Sequence, residues 1–337
     1  KTAVKRDDPR VLERWTQLLT APVNITQGVQ SALSWVVATP RLETDYCGLR
    51  YHARAVYASG SLVAHLEGLK RLTQPERARV VFVPLPLDAK PLITDPAIAV
   101  VSPGRIPDAA IEDLRGLVAC DDILAEYSSS RLELGAEKML DGASVRSKEL
   151  TRAILNRQKD VFRDGEIYTK DDLALPSKNL FRDSMKSGAD AVVSQLVSHA
   201  YRSAGSVLNA TLAKPGGMDT ADAAKVFDGL FGASTQSQAK GAAEKYAPLL
   251  GLSLPREPLK PAPNASGGPA ALADTIRQEI AEGSKANVED LYEKFCNEPY
   301  GLNAAVVDLL VIGCIALGKP FALELRLPAG VTVETRD

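Results

Sequence analysis

The stretch from Pro255 to Pro269, PREPLKPAPNASGGP, constrains the chain most. Five prolines, two glycines, an asparagine and a serine within it can neither continue a helix nor pair as a central strand. An exposed linker is expected at 255–269, separating a body at 1–254 from a smaller module at 270–337. A chain of 337 residues is long enough for about two domains. Aromatic residues supply only 5% of it, so the core must rest on Leu, Val, Ile and Ala, which leans towards helices.

The body reads as mainly helical. Asp8-Pro9 precedes Val11, Trp15, Leu18 and Leu19, an i, i+4, i+7, i+8 stripe. Residues 49–72 form a longer helical pattern, bent near Gly60. The period then changes: Val80-Val81-Phe82-Val83-Pro84-Leu85 and Ile98–Val101 are β-branched runs and read as short strands, a minor strand element near 80–101. Helices are expected again at Pro107–Leu117, Leu124–Leu140 and Ser147–Asp164, the last stopped by Gly165. Thr169-Lys170-Asp171-Asp172 has the shape of a capping box opening another helix, and Ser187–Ser203 and Thr220–Gly229 follow as helices.

The C-terminal module is the most legible part. Pro269 stands where a first helical residue should be, and Leu272, Ile276 and Ile280 recur before Gly283 stops the helix. Asn287 caps a second helix with Val288, Leu291 and Phe295 inward. Glu298-Pro299-Tyr300-Gly301 is a turn, and Asn303–Leu317 a third, almost wholly apolar helix. Phe321, Leu323, Leu325 and Leu327 alternate with polar or small residues as a strand, and a turn at Pro328-Ala329-Gly330 leads into a second strand, Val331–Thr335. Three helices followed by a hairpin is the order of a winged helix. The fold class expected is mainly α: a helical body of several subdomains with a few short strands, plus a winged-helix-like C-terminal module.

Charge restricts the partners. The chain carries 40 basic and 42 acidic residues, which argues against a nucleic-acid wrapper at whole-chain level. Residues 270–337 hold six basic and eleven acidic side chains, and the third helix offers only Asp308 among charged groups. A duplex-reading helix needs Arg, Lys, Asn or Gln outward, so this module is expected to bind protein. One basic feature stands apart. In the Ser147–Asp164 helix Lys148, Arg152, Lys159 and Arg163 fall within about 60° of one another. Such a stripe suits phosphates or an acidic partner, or is simply a solvated face.

Phosphate-cradling and nucleophile motifs are absent from the sequence, as is any four-ligand zinc spacing. No catalytic, cofactor-binding or metal-ligating residue is assigned, and no enzyme activity is expected within this stretch. The acidic pairs Asp7-Asp8, Asp121-Asp122 and Asp171-Asp172 read as helix-start residues, and His199 as a packed or surface histidine. Cys47, Cys120, Cys296 and Cys314 are scattered and read as reduced thiols, which with no secretory signal implies a cytoplasmic protein. The longest apolar run, Ala304–Gly318, is about 15 residues, short of the roughly 20 that cross a bilayer. No membrane partner is expected. The chain begins at Lys1 and reads as part of a longer protein.

Two stretches resemble a known family. The run Phe295–Leu325, FCNEPYGLNAAVVDLLVIGCIALGKPFALEL, is similar to a PYG-turn, apolar-helix, glycine, strand pattern. That pattern belongs to large P-loop ATPases of bacteriophage-exclusion (BREX) and phage-growth-limitation systems. The run Val161–Tyr168, VFRDGEIY, resembles a helix end and turn upstream in such proteins. The chain lacks the Walker motif of their ATPase module. The resemblance therefore implies a non-ATPase region of a phage-defence ATPase, docking other proteins of a defence complex, with DNA as the alternative partner. The turn Pro299, Tyr300, Gly301 and Leu302 is then the candidate docking element, and Lys148, Arg152, Lys159 and Arg163 the candidate phosphate or acidic-partner contacts.

Overall fold

The computed structural model describes residues 4–20, 41–58, 62–69, 76–128, 136–207, 218–231, 237–250, 252–253, 260–261, 268–283, 288–317, 324–326 and 332–334. Its contacts divide the chain into two compact units. One comprises Lys1–Thr44, His52–Leu69 and Glu76–Leu196, and the other Asp45–Tyr51, Lys70–Pro75 and Val197–Asp337. Helices predominate, with a small mixed sheet.

In the first unit, helix α1 (Pro9–Thr20) presents the expected stripe: Val11, Trp15, Leu18 and Leu19 are buried. Asp8 precedes it and its Oδ1 accepts the Arg10 backbone N–H at 3.0 Å, a helix-start role as expected. Strands β1 (Arg41–Tyr46) and β2 (Leu49–Tyr57) flank a two-residue turn in which Cys47 and Gly48 have φ of 49° and 82°. A short helix α2 (Leu62–Leu66), strand β3 (Glu76–Phe82) and strand β4 (Ile98–Ser102) follow. The strand order is β1-β2-β3-β4-β5, with β5 at Glu166–Thr169. The β2–β3 and β3–β4 pairs are parallel and β4–β5 is antiparallel, in register Ser102↔Glu166 to Ala99↔Thr169.

The strands expected near 80–101 are therefore present, but of the helix expected at 49–72 residues 49–57 form strand β2, and among the described residues only Leu62–Leu66 is helical. Residues 49, 53 and 57 satisfy both an i+4 and a period-2 reading. Burial of Tyr51 and Ala55 between them, with Arg50 and Arg54 exposed, decides for a strand.

Strands β3 and β4 are buried on both faces, as parallel strands under helical cover are: Val80, Val81, Phe82 and Ile98–Val101 are fully enclosed. The cover includes helices α3 (Asp108–Ser128) and α4 (Ala136–Asn156), which pack along each other, with Leu114, Leu117, Leu150 and Ile154 inward. One helix thus replaces the separate starts expected at 107 and 124. Asp121 and Asp122 lie inside α3 and open no helix. They pair with Arg14 and Arg10 and fasten α1 to α3. Phe162 meets Phe82 edge-to-face at 5.2 Å and Tyr57 at 6.0 Å, and Phe181 meets Phe82 at 5.9 Å.

The helix expected at 147–164 is interrupted. It ends at Asn156, turns at Arg157 and resumes as α5 (Gln158–Arg163). Arg157 hydrogen-bonds Asp113 of α3 at the break, and Gln158 is buried against the Tyr57 hydroxyl. The sequence there carries neither proline nor glycine, so nothing local announced the interruption. The capping box at 169–172 opens no helix either. Thr169 closes β5, its Oγ1 accepts the Leu173 N–H at 2.9 Å, and α6 begins only at Ser177 (Ser177–Leu180). Helix α7 (Met185–Ala200) then carries the chain across the boundary at 196/197.

In the second unit, α8 (Ala204–Val207), α9 (Thr220–Phe231) and α10 (Ser237–Tyr246) precede three helices, α11 (Gly268–Gly283), α12 (Val288–Cys296) and α13 (Ala304–Leu317). Short pairings β6 (Leu252–Ser253) with β7 (Lys260–Pro261) and β8 (Glu324–Arg326) with β9 (Thr332–Glu334) are antiparallel. The division at 196/197 differs from the linker expected at 255–269, most of which lies outside the described residues, as does Asn287. One core runs from Met218, Val226, Tyr246 and Leu250 through Ile276 and Phe295 to the residues of α13. The helices of 268–317 therefore share their interior with α9 and α10.

Helix α13 is capped by Asn303, whose Oδ1 accepts the Val306 N–H at 2.9 Å. Ala305, Val306, Val307, Leu309, Leu310, Ile312, Cys314 and Ile315 are all buried. Its single charge, Asp308, accepts a hydrogen bond from the Tyr292 hydroxyl of α12. Each such leucine or isoleucine contributes about 1.5–3 kcal/mol by leaving water. The apolar helix is a core element, so its surface is spent on folding.

Candidate docking cleft

A cleft of about 810 Å³ opens in the first unit at the carboxyl ends of β3 and β4. This is where parallel strands release their loops, and where open sheets place ligands. Residues 83–89 leave β3 as a loop that bends at Pro84-Leu85. Pro84 and Pro86 fix φ and remove two donors, so the chain neither coils nor extends the sheet. Leu85 and Leu87, 39% and 43% exposed, both line the cleft, and Leu12 of α1, 43% exposed, joins them.

The segment is fixed from three directions. The Trp15 indole N–H donates to the Pro84 carbonyl at 2.7 Å, the Val83 N–H donates to Val101 O at 3.1 Å, and the Leu87 N–H donates to Ser102 Oγ at 2.9 Å. Trp15 is fully buried, so α1 acts as the back wall of this loop. Replacing Trp15 with phenylalanine keeps most of the packing but orphans the Pro84 carbonyl. The expected cost is about 1–2 kcal/mol, with faster hydrogen exchange at Leu85 and Leu87. A urea series and amide exchange measure both.

The opposite wall is Asp164, Gly165, Glu166 and Tyr168. Backbones meet closely there. A Cβ on Gly165 would lie 2.0 Å from Ser102 O, and one on Gly104 would lie 2.4 Å from Asp164 O. The Gly104 N–H donates to Val161 O at 2.9 Å, tying the loop after β4 to α5.

Charged groups ring the apolar floor. Arg6 and Arg105 both reach Asp108 at the start of α3. Asp88 Oδ1 accepts the Lys90 backbone N–H at 3.1 Å, while the Lys90 amine is 2.7 Å from Asp172. The Tyr168 hydroxyl donates to Glu166, and this hydrogen bond to a carboxylate pushes its pKa up to about 12. Tyr168 therefore keeps its proton throughout the physiological range.

The residues singled out from the sequence lie elsewhere. Lys148 and Arg152 are exposed on α4, whereas Lys159 and Arg163 are half-buried on α5 beyond the turn at Arg157. Arg163 is engaged by Asp160 at 2.9 Å and by Asp164. The four do not form one continuous helical stripe, because the helix that would align them is broken.

The Pro299–Leu302 turn is mostly internal. Leu302 is fully buried and donates its N–H to Phe295 O at 2.8 Å, and Gly301, at φ +60°, lies against the Tyr201 ring. Pro299 and Tyr300 are half-buried. The Pro299 carbonyl accepts the Ser203 N–H at 2.9 Å, and the Tyr300 ring meets Phe295 at 5.0 Å. Gly301 and Leu302 are thus packing residues with no surface to offer a partner.

His199 is half-buried near the end of α7. Among the described residues no group of three or more His, Cys, Asp or Glu gathers in a metal-holding arrangement. No described helix is long and apolar enough to cross a membrane. Sequence reasoning missed Leu85, Leu87, Asp88, Glu166 and Tyr168. The available signal was Pro84-Leu85-Pro86-Leu87 directly after a buried strand, a pattern that leaves two leucines in a loop that can neither coil nor pair at a sheet end. Comparisons with protein-family models, curated proteins and solved structures give no match.

Proposed function

We propose that this chain is a non-catalytic assembly region that docks protein partners, as its resemblance to phage-defence ATPases implies, and that it works within a cytoplasmic defence complex. The observation carrying the reading is the cleft of Leu12, Leu85 and Leu87, three leucines left about 40% exposed on a loop and helix held rigid by Trp15 and Ser102. Exposed apolar side chains on a fixed frame are what a protein interface uses as its centre. The Val161–Tyr168 run, which carries part of the resemblance, supplies one wall of the same cleft. In the C-terminal module, three helices followed by an antiparallel hairpin are compatible with a winged helix whose third helix is core.

The test compares wild-type chain with L85S/L87S as bait in cells expressing the full-length protein. A partner retained by wild type and by K148E/R152E but lost from L85S/L87S is the expected outcome, and purified chain hydrolyses no ATP. Equal retention by both variants, or ATP turnover, contradicts the reading.

A second reading, DNA contact through α4, rests on Lys148 and Arg152, which share an exposed face without an ion-pair partner among the described residues. Mobility shifts of a labelled duplex across a salt series decide it: phosphate contacts give a salt slope that K148E/R152E flattens.

A further inference from the structure

Five charged side chains line the cleft: Arg6, Arg105, Asp88, Asp164 and Glu166. Arg6 and Arg105 share the single carboxylate of Asp108, and Asp164 lies 3.4 Å from the Arg163 Nε. Asp88 and Glu166 remain. Neither has a cationic partner among the described residues, since the nearest sequence candidate for Asp88, Lys90, is held by Asp172. Both line the cleft with Tyr168, and Leu87, next to Asp88, donates its N–H to Ser102 Oγ while Ser102 is the register partner of Glu166. They therefore face one corner, beside an aromatic ring and two exposed leucines.

Resting on the docking reading above, we infer that the occupant of this cleft is a basic amphipathic segment of a partner protein. Its leucine-type side chains lie against Leu12, Leu85 and Leu87, and a lysine or arginine within one turn of them reaches the Asp88–Glu166 corner. The chemistry is complementary in both parts. The aliphatic stem of a long cationic side chain covers the leucines while its head meets carboxylates. A guanidinium also stacks on a tyrosine face and donates to two carboxylates through its fork of N–H groups. A nucleic acid is disfavoured at this corner, because phosphate would face two uncompensated negative charges. A small ligand is disfavoured because the three leucines are left about 40% exposed, whereas small-molecule sites enclose their ligand.

The experiment selects binders to the immobilised 337-residue chain from a randomised dodecamer peptide library. Selection is repeated against L85S/L87S and against D88N/E166Q, and the leading peptide is measured by fluorescence anisotropy. All four positions lie at the cleft surface, and circular dichroism verifies that both variants keep the fold. Enriched peptides should combine Leu-type residues with Lys or Arg, and should vanish on L85S/L87S. They should bind D88N/E166Q about five- to tenfold more weakly, with the difference shrinking in high salt. Enrichment that depends on the leucines but shows no basic bias overturns the basic occupant and leaves the docking reading standing. Enrichment indifferent to the leucines overturns both. Displacement of the leading peptide by a labelled DNA duplex or by a nucleoside triphosphate also overturns the inference.

Discussion

Gly301→Ala is expected to cost the second unit about 3 kcal/mol or more. The residue sits at φ +60°, where an L side chain costs roughly 1–2 kcal/mol, and its new Cβ would lie 2.3 Å and 2.4 Å from the Tyr201 Cδ1 and Cγ. The ring has no room to retreat. Tyr201 is fully buried and stacked on Tyr51 at 5.2 Å with 14° between planes. Overpacking of this kind adds about 1–3 kcal/mol. Urea unfolding followed by circular dichroism should show a lowered midpoint, and amide exchange should accelerate at Leu302 and in the first turns of α13. A double-mutant cycle with Tyr201→Ala should return a coupling of about 1–3 kcal/mol, because removing the ring relieves the clash but not the backbone strain. A Gly301→Ala chain of unchanged stability would mean that the turn does not pack as described.

Gly165→Ala is the corresponding change in the first unit, and its effect reaches the cleft. Its Cβ would lie 2.0 Å from Ser102 O, 2.8 Å from Gly104 N and 2.9 Å from Pro103 C, all backbone atoms that no rotamer change can move. The end of β4 and the start of β5 must separate, breaking the pairing of Ser102 with Glu166. The expected destabilisation is about 3 kcal/mol or more. Glu166 and Tyr168 leave the wall, so partner docking should fall together with stability. Leu85→Ser with Leu87→Ser, in contrast, should remove docking at little cost in stability, since those side chains are already partly in water. The contrast between the two variants separates a scaffold residue from a contact residue.

The elements readable from the sequence were those whose pattern admits one period. Val80–Phe82 and Ile98–Val101 are β-branched runs with a fixed stop, and Ala304–Leu317 is an apolar run with an Asn cap in front and a glycine behind. Leu49–Tyr57 was ambiguous because its buried set at 49, 53 and 57 fits a helix and a strand alike. The break at Arg157 follows from tertiary bonds to Asp113 and Tyr57, which no local pattern encodes. Gly301 was legible as a turn residue, but the Tyr201 ring against it was not, since the two are a hundred positions apart. The cleft was the least legible feature. Its walls come from Leu12, Leu85, Ser102, Arg105 and Glu166, which only the sheet brings to one end. Each of those residues, taken singly, is ordinary surface or loop chemistry. What distinguishes them is that both arginines bond Asp108, while Asp88 and Glu166 have no cationic partner among the described residues.

The central claim is that a protein segment occupies the end of β3 and β4. Hydrogen exchange of the chain with and without a saturating dodecamer selected on it tests this most directly. Protection concentrated at 85–88, 104–106 and 164–168, and abolished in L85S/L87S, is the result the account predicts. Protection confined to 145–163 on α4 and α5, with those loops exchanging as in the unbound chain, would contradict it.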